Sequence, residues 1–411
     1  MNPALLPFDE ALAALLAQAA PVDEVETLDT AQASGRVLAA DVRSTLDVPP
    51  CDTAQMDGYA VLRADLAAAA PGQPVRLPVA QRIPAGQTGR ALHAGEAARI
   101  FTGAFVPEGA DAVVMQEAVQ AEGDAVAFTQ CPQPGEWIRR TGEDIRAGNV
   151  ILAAGTRLGP QSCGLAASVG LAALPVRRRV RVACFYTGDE LTMPGEPLRP
   201  GAIYNSNRFV LGALLRALGC ELLDLGNVPD TLAATREALR RAARDSDLIV
   251  TSGGVSVGEE DHVKPAVQAE GELRMWQVAM KPGKPLAYGR VRRPGGAGTA
   301  HFIGLPGNPV SGFVTFLMLA RPFVLRLQGV NDVAPRVLPL RADFDWPRPD
   351  RRREFLRARI NTEGGLDLFP NQGSAVLTST VWADGLIDNP PQQPIAPGQV
   401  VRFLPFANLL A

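Results

Sequence analysis

The sequence predicts a multidomain α/β plus β protein whose central part is a parallel sheet with helices on both faces. Between residues 180 and 327, strand-like apolar runs alternate with amphipathic helical segments. On either side, at 49–141 and beyond 329, short apolar runs are separated by proline and glycine turns, which is typical of small β modules. The length of 411 residues also exceeds what one compact core usually holds.

The apolar pattern of the first part of the chain predicts helices at the start, followed by one of these β modules. Apolar residues recur at helical spacing over Phe8–Ala19, and Leu28–Val42 continues in a similar register. From about Pro49 the pattern changes to strand-like runs, which are Val75–Val79, Ala98–Phe101 and Ala112–Met115. A further helix is predicted over Gln161–Val169, and Pro175 with the arginines that follow it marks a domain boundary.

The central segment predicts alternating strands and helices. The expected strands are Val180–Tyr186, Glu221–Val228, Asp247–Thr251, Leu273–Ala279 and Ala300–Gly304. The expected helices are Arg208–Leu218 behind the caps Asn205 and Ser206, Thr231–Arg244, Glu260–Ala269 and Val310–Leu327. Strands that alternate with helices in this way form parallel pairs, because each helix returns the chain to the same end of the sheet.

Composition excludes several classes of function. Forty basic against 43 acidic residues leave a net charge of −3, so no global field favours nucleic acid or an anionic membrane. Five scattered cysteines without a C-x-x-C spacing predict a reduced, cytoplasmic protein. Residues 1–20 lack the basic start of a signal peptide, and the uncharged stretch 294–320 is interrupted by prolines, which predicts a buried helix rather than a membrane span.

Polar clusters follow the five predicted strands, and they are Thr187–Glu190, Pro229–Asp230, Ser252–Asp261, Met280–Lys284 and Leu305–Pro309. In an open parallel sheet, ligands bind beyond the carboxyl ends of the strands, where these loops meet. We therefore expect all five clusters at one edge of the sheet.

The residue types at this edge predict a phosphorylated ligand with Mg²⁺. The glycines of Ser252-Gly253-Gly254 allow backbone amides to approach an oxyanion, and Lys281 and Lys284 add positive charge. Carboxylates beside an anion site indicate a hard cation, because Mg²⁺ is usually held by one or two carboxylates plus substrate phosphates. The candidate carboxylates are Glu190, Asp230 and Asp261.

Each of these motifs also has an ordinary structural explanation that needs no binding site. Ser-Gly-Gly is a common βα turn, Pro-Gly-Asn-Pro often begins a helix, and an acidic residue after a strand is often an N-cap. The two lysines could be surface charges of a hairpin. Their joint position at one edge favours a site. No G-x-x-x-x-G-K-[ST] or G-x-G-x-x-G occurs after a strand, and the histidines at 93, 262 and 301 lack the spacing for zinc.

Ordered motifs along nearly the whole chain resemble one family. They are Met56–Val61, Pro84–Gly86, Ala98–Ala104, Gly109–Val114, Gly142–Ile145, Thr187–Leu191, Ser252–Asp261, Lys281–Pro285 and Gly304–Pro309. The sequence resembles the molybdopterin molybdenumtransferases, the MoeA and gephyrin E-domain family of molybdenum cofactor biosynthesis.

The resemblance implies four domains and a homodimer. A helical and mixed domain at 1–48 and 142–176 would be interrupted by a β module at 49–141. A molybdopterin-binding α/β domain would follow at 177–328, and a C-terminal β-barrel at 329–411. The implied reaction binds adenylylated molybdopterin and molybdate, cleaves the phosphoanhydride with Mg²⁺, inserts molybdenum and releases AMP. The implied partners are a separate molybdopterin adenylyltransferase and the enzymes that accept the cofactor, with no nucleic acid and no membrane.

The resemblance also assigns residues. Those implied in catalysis are Asp57, Thr102, Asp144, Glu190, Asp230, Asp261, Lys281 and Lys284, with Glu190 and Asp261 as metal ligands. Those implied in binding the pterin substrate are Ser252, Gly253, Gly254, Ser256, Pro306, Asn308, Pro309, Arg352 and Ser374. Because Asp57, Thr102 and Asp144 belong to other domains, the partner subunit is expected to supply them.

Two other functions compete with this one. A molybdopterin adenylyltransferase uses a related α/β domain, but it does not explain the extra β modules. A non-enzymatic dimeric scaffold of the gephyrin type would use the same fold without catalysis.

Overall fold

The computed structural model describes residues 5–254, 262–296 and 298–410. Its contacts divide the chain into two compact units. The larger unit comprises Met1–Ala39, Gly155–Gly159 and Pro175–Ala411, and the smaller unit comprises Ala40–Ala154 and Pro160–Leu174.

The chain opens with one helix and one strand. The helix α1 (Phe8–Leu16) buries Phe8, Ala11 and Leu15, which confirms the predicted helical start. The strand β1 (Val25–Asp29) follows. The prediction that Leu28–Val42 is helical is wrong: a 3-10 turn over Thr30–Gln32 is the only helical part, and Gly35 has a φ of 79°, which a continuing right-handed helix does not allow.

The smaller unit is mostly a β module, as the sequence predicts for its central part. Its elements are β2 (Val42–Arg43), β3 (Thr53–Ala54), β4 (Gly58–Val61), β5 (Val75–Ile83), β6 (Ala97–Ile100), β7 (Ala112–Met115), β8 (Val119–Glu122), β9 (Ala125–Phe128), β10 (Ile138–Arg139), β11 (Val150–Leu152) and the helix α2 (Pro160–Ser168). Six strands form one sheet in the order β7-β4-β6-β5-β9-β8. Alternate residues of β4 enter different apolar clusters, so both faces of this sheet are covered.

The larger unit contains the predicted α/β domain. Its elements begin with β12 (Ala173–Arg177), which pairs with β1, and continue with β13 (Arg181–Thr187), β14 (Leu191–Thr192), β15 (Ile203–Tyr204), α3 (Ser206–Ala217), β16 (Glu221–Val228), α4 (Leu232–Asp245) and β17 (Leu248–Ser252). They go on with α5 (Val263–Glu270), β18 (Gly271–Gln277), β19 (Met280–Lys281), β20 (Pro285–Arg292), β21 (Thr299–Leu305), α6 (Pro309–Thr315) and α7 (Arg321–Leu327). Asn205 and Thr231 cap α3 and α4 by accepting hydrogen bonds from backbone N–H groups.

The central sheet is mixed, which corrects the prediction of a wholly parallel one. Its order is β16-β13-β17-β21-β20-β18, and the first four strands are parallel. The strand β20 was not predicted and runs antiparallel to both β21 and β18. The connections at 278–284 and 293–298 are too short for crossovers, so they form hairpins. Two reversals in succession leave β18 pointing the same way as β21.

Helices cover both faces of this sheet. Val182, Cys184 and Tyr186 of β13 pack in one apolar cluster with α3, α6 and α7. Ala183 and Phe185 point to the other face and pack with α4 and α5. The continuous helical stretch Pro309–Leu327, which has a π turn over Phe316–Ala320, is apolar and long enough to cross a membrane, but 89% of it is buried inside the protein.

The C-terminal part is a second β module, as predicted. It contains β22 (Leu338–Arg341), β23 (Arg353–Ile360), β24 (Leu366–Leu368), α8 (Thr378–Trp382), β25 (Gly385–Asn389), β26 (Val400–Pro405) and α9 (Phe406–Leu409). The sheet runs β19-β23-β25-β26-β22, with β24 beside β23. It curls so that Ala342, just after β22, bridges Leu366 of β24, and both side chains enter the same core. The strand β19 joins this sheet to the loop that leaves the central sheet.

Asp247 makes a half-buried ion pair just before β17. Its carboxylate accepts two hydrogen bonds from Arg178, at 2.7 and 2.9 Å, and one from the N–H of Arg181 at 2.8 Å. Burial alone would raise the pKa of the Asp247 carboxyl, but these hydrogen bonds outweigh burial and lower it.

We expect D247N to lower the free energy of unfolding by about 1 to 3 kcal/mol, since Arg178 loses its charge-assisted hydrogen bonds to Asp247 and keeps the exposed Glu24 as an ion-pair partner. Because folding lowers the pKa of the Asp247 carboxyl, the stabilisation by this ion pair is complete at pH values above the ordinary pKa of 3.8. It is lost as the pH falls below that value. Denaturant titrations at several pH values measure both effects. In the matched control E221Q, which breaks the exposed pair with Arg181, we expect a change within about 0.5 kcal/mol. An equal loss in both variants would contradict this assignment.

Candidate functional site

A cavity of about 1000 Å³ lies beyond the carboxyl ends of the strands of the central sheet. All five predicted polar clusters contribute to it, because β13, β16, β17, β18 and β21 end at the same edge. The predicted site residues that line it are Glu190, Asp230, Ser252, Gly253, Gly254, Lys281, Lys284, Pro306, Asn308, Pro309, Arg352 and Ser374. The structure thus brings together residues that are far apart in the sequence, including two from the C-terminal module.

Five other predicted residues are not brought to this cavity. Ser256 and Asp261 lie outside the described residues. Asp57, Thr102 and Asp144 belong to the smaller unit.

The glycine loop after β17 has a backbone that other residues cannot adopt without strain. Gly253 has a φ of 96° and Gly254 a φ of 63°. A Cβ atom on Gly253 would lie 2.8 Å from the carbonyl oxygen of Thr187, and one on Gly254 would lie 2.4 Å from Cγ2 of Val263. The loop therefore passes close to β13 and α5, and the cavity wall here is backbone rather than side chain.

Hydrogen bonds tie the glycine loop to the loop after β21. The side-chain amide of Asn207 donates to Oγ of Ser252 at 2.8 Å and to the carbonyl oxygen of Gly307 at 2.7 Å. The Ser252 hydroxyl in turn donates to the carbonyl oxygen of Pro306 at 3.1 Å. Asn207 lies in the first turn of α3 and lines the cavity. Sequence reasoning missed it, although the run Asn205-Ser206-Asn207 at a helix start was a visible signal.

The cations of the cavity have different environments. Nζ of Lys281 lies 3.3 Å from Oε1 of Glu354 and 3.5 Å from Oδ2 of Asp350. Lys284 is exposed, and its ammonium has no ion-pair partner within the described part of the chain. Arg352 makes two hydrogen bonds to Asp350, at 2.9 and 2.8 Å, which hold the pKa of the Asp350 carboxyl well below its usual range.

The acidic side of the cavity carries Glu190 and Asp230. The Glu190 carboxylate packs against Gly188, where a Cβ atom would lie 2.6 Å from Oε2. Asp189 accepts a hydrogen bond from the N–H of Asp230 at 3.3 Å, which ties the loops after β13 and β16 together. Positive and negative groups therefore line the same cavity, as a site for an anion together with a cation requires.

A loop of the C-terminal module, residues 372–375, closes part of the cavity. The carbonyl oxygen of Ser374 accepts hydrogen bonds from the N–H groups of Val310 and Ser311, at 3.0 and 3.3 Å. The Ser374 hydroxyl accepts one from the Asn308 amide at 3.3 Å. These bonds use the first N–H groups of the helix that follows Asn308, so this helix end is occupied by protein rather than open to a phosphate.

Side chains behind the loop 372–375 hold it in place. Arg357 is fully buried and donates to the carbonyl oxygen of Gly373 at 3.2 Å, and burial lowers its pKa to about 10. Gln372 accepts from the N–H of Arg357 at 2.9 Å and donates to its carbonyl oxygen at 3.0 Å. Sequence reasoning missed both residues, because an arginine in a strand usually lies on the solvated face.

In the smaller unit, Asp57 and Thr102 are in direct contact. Oδ1 of Asp57 accepts hydrogen bonds of 2.8 Å from both the N–H and the hydroxyl of Thr102. These bonds, the backbone one first, lower the pKa of the Asp57 carboxyl. Asp144 is exposed, and its own N–H donates to the carbonyl oxygen of Val48.

The donor set of the cavity fits Mg²⁺ that is shared with a phosphate ligand. No group of three or more His, Cys, Asp or Glu side chains suited to a metal occurs among residues 5–254, 262–296 and 298–410. A Mg²⁺ ion in a phosphate site needs only one or two protein carboxylates, because phosphates and waters complete its shell. Glu190 and Asp230 provide carboxylates beside the cations that would bind the phosphates.

Comparisons with known proteins cover the whole length of the chain. Residues 6–170 match the MoeA N-terminal region (domain I and II), 183–326 match the probable molybdopterin binding domain, and 339–406 match the MoeA C-terminal region (domain IV). A molybdopterin molybdenumtransferase of Haemophilus influenzae is 38% identical over 99% of this chain and 100% of its own length. Molybdopterin molybdenumtransferase 2 of Mycobacterium tuberculosis is 41% identical over 89% of this chain and 90% of its own.

A solved structure shows the same fold. The molybdopterin biosynthesis MoeA protein of Pyrococcus horikoshii superimposes with a TM-score of 0.85 at 28% identity, and the match covers 98% of this chain and 100% of that one. The fold is therefore shared over 98% of this chain.

The glycine loop gives a direct test of the cavity geometry. We expect G253A to lower the free energy of unfolding by about 2 to 4 kcal/mol, because backbone strain at positive φ adds to the contact with the Thr187 carbonyl oxygen. The matched control is G195A, which has a φ of 98° but nothing within 4 Å of the added Cβ, so only about 1 kcal/mol should be lost. Denaturant unfolding measures both, and equal losses would contradict the close approach of the loop to β13.

Proposed function

Because the chain belongs to the molybdopterin molybdenumtransferase family, enzymes of molybdenum cofactor biosynthesis, we propose that it inserts molybdenum from molybdate into adenylylated molybdopterin. In this proposal the phosphoanhydride of the substrate is cleaved with Mg²⁺, AMP leaves, and the dithiolene of the pterin binds the molybdenum. The single observation that carries the proposal is the cavity, which combines a backbone-lined glycine loop, three cations and two carboxylates.

The proposal assigns the binding of the pterin substrate to the loops of the cavity. Ser252, Gly253 and Gly254 line the cavity, and because the two glycines carry no side chain the ligand would meet backbone there. The Gly253 N–H itself donates to the carbonyl oxygen of Leu305 at 3.2 Å, which fixes this stretch beside β21. Pro306, Asn308, Pro309 and Ser374 form the neighbouring part of the cavity wall, and Ser256 is assigned to the same group from the sequence. Asn207 ties the loops at 252–254 and 306–309 together through its bonds to Ser252 and Gly307.

The cations bind the anionic oxygens of the substrates. Lys281, Lys284 and Arg352 line one cavity, and their N–H groups can donate charge-assisted hydrogen bonds to phosphate or molybdate oxygens. Glu190 and Asp261 would hold Mg²⁺, and Asp230 would orient the ligand. When bound, Mg²⁺ supplies a Lewis acid that neutralises charge on the phosphate oxygens as the anhydride breaks.

The rest of the chain completes the proposal. We propose the four-part division at 1–48 with 142–176, 49–141, 177–328 and 329–411, and a homodimer in which the partner subunit brings the Asp57, Thr102 and Asp144 positions to the cavity. A separate molybdopterin adenylyltransferase would supply the substrate, and apoenzymes in the cytoplasm would receive the product.

The reaction is tested by incubating the purified protein with adenylylated molybdopterin, molybdate and Mg²⁺. We expect release of AMP and formation of a cofactor that reconstitutes a molybdenum-free apoenzyme. D261A should lose this activity without loss of stability, whereas the control E237A, an exposed carboxylate of α4, should retain it. Consumption of ATP with bare molybdopterin would instead indicate an adenylyltransferase. Absence of AMP release from the unaltered protein would reject the proposal, and full activity of D261A would remove this residue from the site.

Lys284 allows the phosphate site to be tested by binding alone. We expect K284M to weaken the binding of adenylylated molybdopterin by about 1.5 to 3 kcal/mol, the value of a charge-assisted hydrogen bond. Equilibrium dialysis in the absence of molybdate measures the dissociation constant. K264M removes the same charge from α5, outside the cavity, and should bind normally. An unchanged affinity of K284M would make Lys284 a surface residue.

A further inference from the structure

The carboxylate of Glu354 is fully buried directly behind the cavity wall. It lies on β23 of the C-terminal module, and its Oε1 contacts Nζ of Lys281 at 3.3 Å. Its Oε2 accepts a hydrogen bond from the indole N–H of Trp346 at 2.9 Å and lies 3.5 Å from the amide nitrogen of Asn389. Glu354 does not line the cavity itself, whereas Lys281 does.

A buried carboxylate is costly unless a cation and hydrogen bonds compensate it. Among the described residues, Lys281 is the ion-pair partner of Glu354. The contact is set by the backbone, since β19 and β23 pair in parallel with Lys281 opposite Glu354. Trp346 and Asn389 bind the other carboxylate oxygen, so the side chain cannot turn away from Lys281 without losing these bonds.

Lysine, the residue at position 281, is rare in this protein. The chain has only three lysines, Lys264, Lys281 and Lys284, among 40 basic residues, and two of the three line the cavity. Lysine presents a compact charge on a flexible stem, whereas arginine has a planar fork that fixes its own direction. A lysine that must point one way therefore needs a partner to hold it.

We propose that Glu354 is a positioning residue that holds the Lys281 ammonium at the cavity wall, where it meets an anionic oxygen of the substrate. Asp350 supports the same ammonium from the side at 3.5 Å while it binds Arg352. This inference rests on the proposed function for the role of Lys281, but the contact itself can be tested without turnover. The competing explanation is that the pair only joins two parts of the fold.

The first measurement is the reactivity of each lysine toward an acylating reagent, followed by peptide mass spectrometry. The reagent must reach the nitrogen, so an amine held against buried carboxylates is shielded and reacts slowly. We expect E354Q to raise the acylation rate of Lys281 by about tenfold, the effect of one charge-assisted hydrogen bond. The rates of Lys264 and Lys284 should not change. An unchanged rate for Lys281 would overturn the proposal.

The second measurement is kcat/KM for AMP release in E354Q, K281M and the double variant. If Glu354 acts through Lys281, E354Q costs about tenfold alone but less than about twofold in the K281M background. Multiplicative losses would overturn the proposal, because they mean that the two residues act separately. D388N is the matched control: it alters a carboxylate of β25 that is 4% exposed, binds Arg353 and Arg402, and does not line the cavity.

These outcomes separate the two proposals. Failure of the proposed function appears as absence of AMP release by the unaltered protein. Failure of the inference appears in a protein that does release AMP. It is seen either as multiplicative losses of kcat/KM in the double variant or as an unchanged acylation rate of Lys281. A loss of activity in D388N equal to that in E354Q, at equal stability, would also overturn the positioning role and leave a purely structural one.

Discussion

The site depends on one geometric constraint, the common direction of the strands that end at the cavity. A loop that follows a strand can reach a ligand only at the carboxyl end of that strand, so every loop of the site needs a strand that points the same way. The parallel strands β13, β16, β17 and β21 satisfy this directly. The strand β18 satisfies it through two reversals, which return its end, and Lys281 with Lys284 beyond it, to the same edge.

A second constraint is electrostatic. The cavity holds cations that would repel one another and carboxylates that would repel an anionic ligand if they were not arranged in pairs. Asp350 and Glu354 lie behind the wall and compensate Arg352 and Lys281. Lys284 remains unpaired within the described residues and is the cation most accessible to a ligand. The C-terminal module therefore contributes to the site in two ways, through Arg352 and the loop 372–375 in the cavity and through the carboxylates behind it.

Much of the site could be predicted from the sequence, because strand ends and glycine turns are local features. The strands at 181–187, 221–228 and 248–252 were expected within one residue of their bounds, and so were the loops after them. The strand β20 was missed because it begins at Pro285 after a turn and does not alternate. The connections on either side of β20 are short, and short connections are typical of hairpins, that is, of antiparallel rather than parallel pairs.

By itself, the sequence determined which loops carry glycines, lysines and carboxylates, and that each of these loops follows a strand of the central sheet. These properties follow from local pattern and from the fixed direction of a strand along the chain. Only the tertiary structure decided that Glu354 lies behind Lys281, that Arg357 and Gln372 hold the loop at 372–375, and that Asn207 joins the loops that follow β17 and β21. Some of these contacts join residues that are far apart in the chain. Others involve polar residues in a strand, and the sequence pattern is the same whether such a side chain faces solvent or a buried partner.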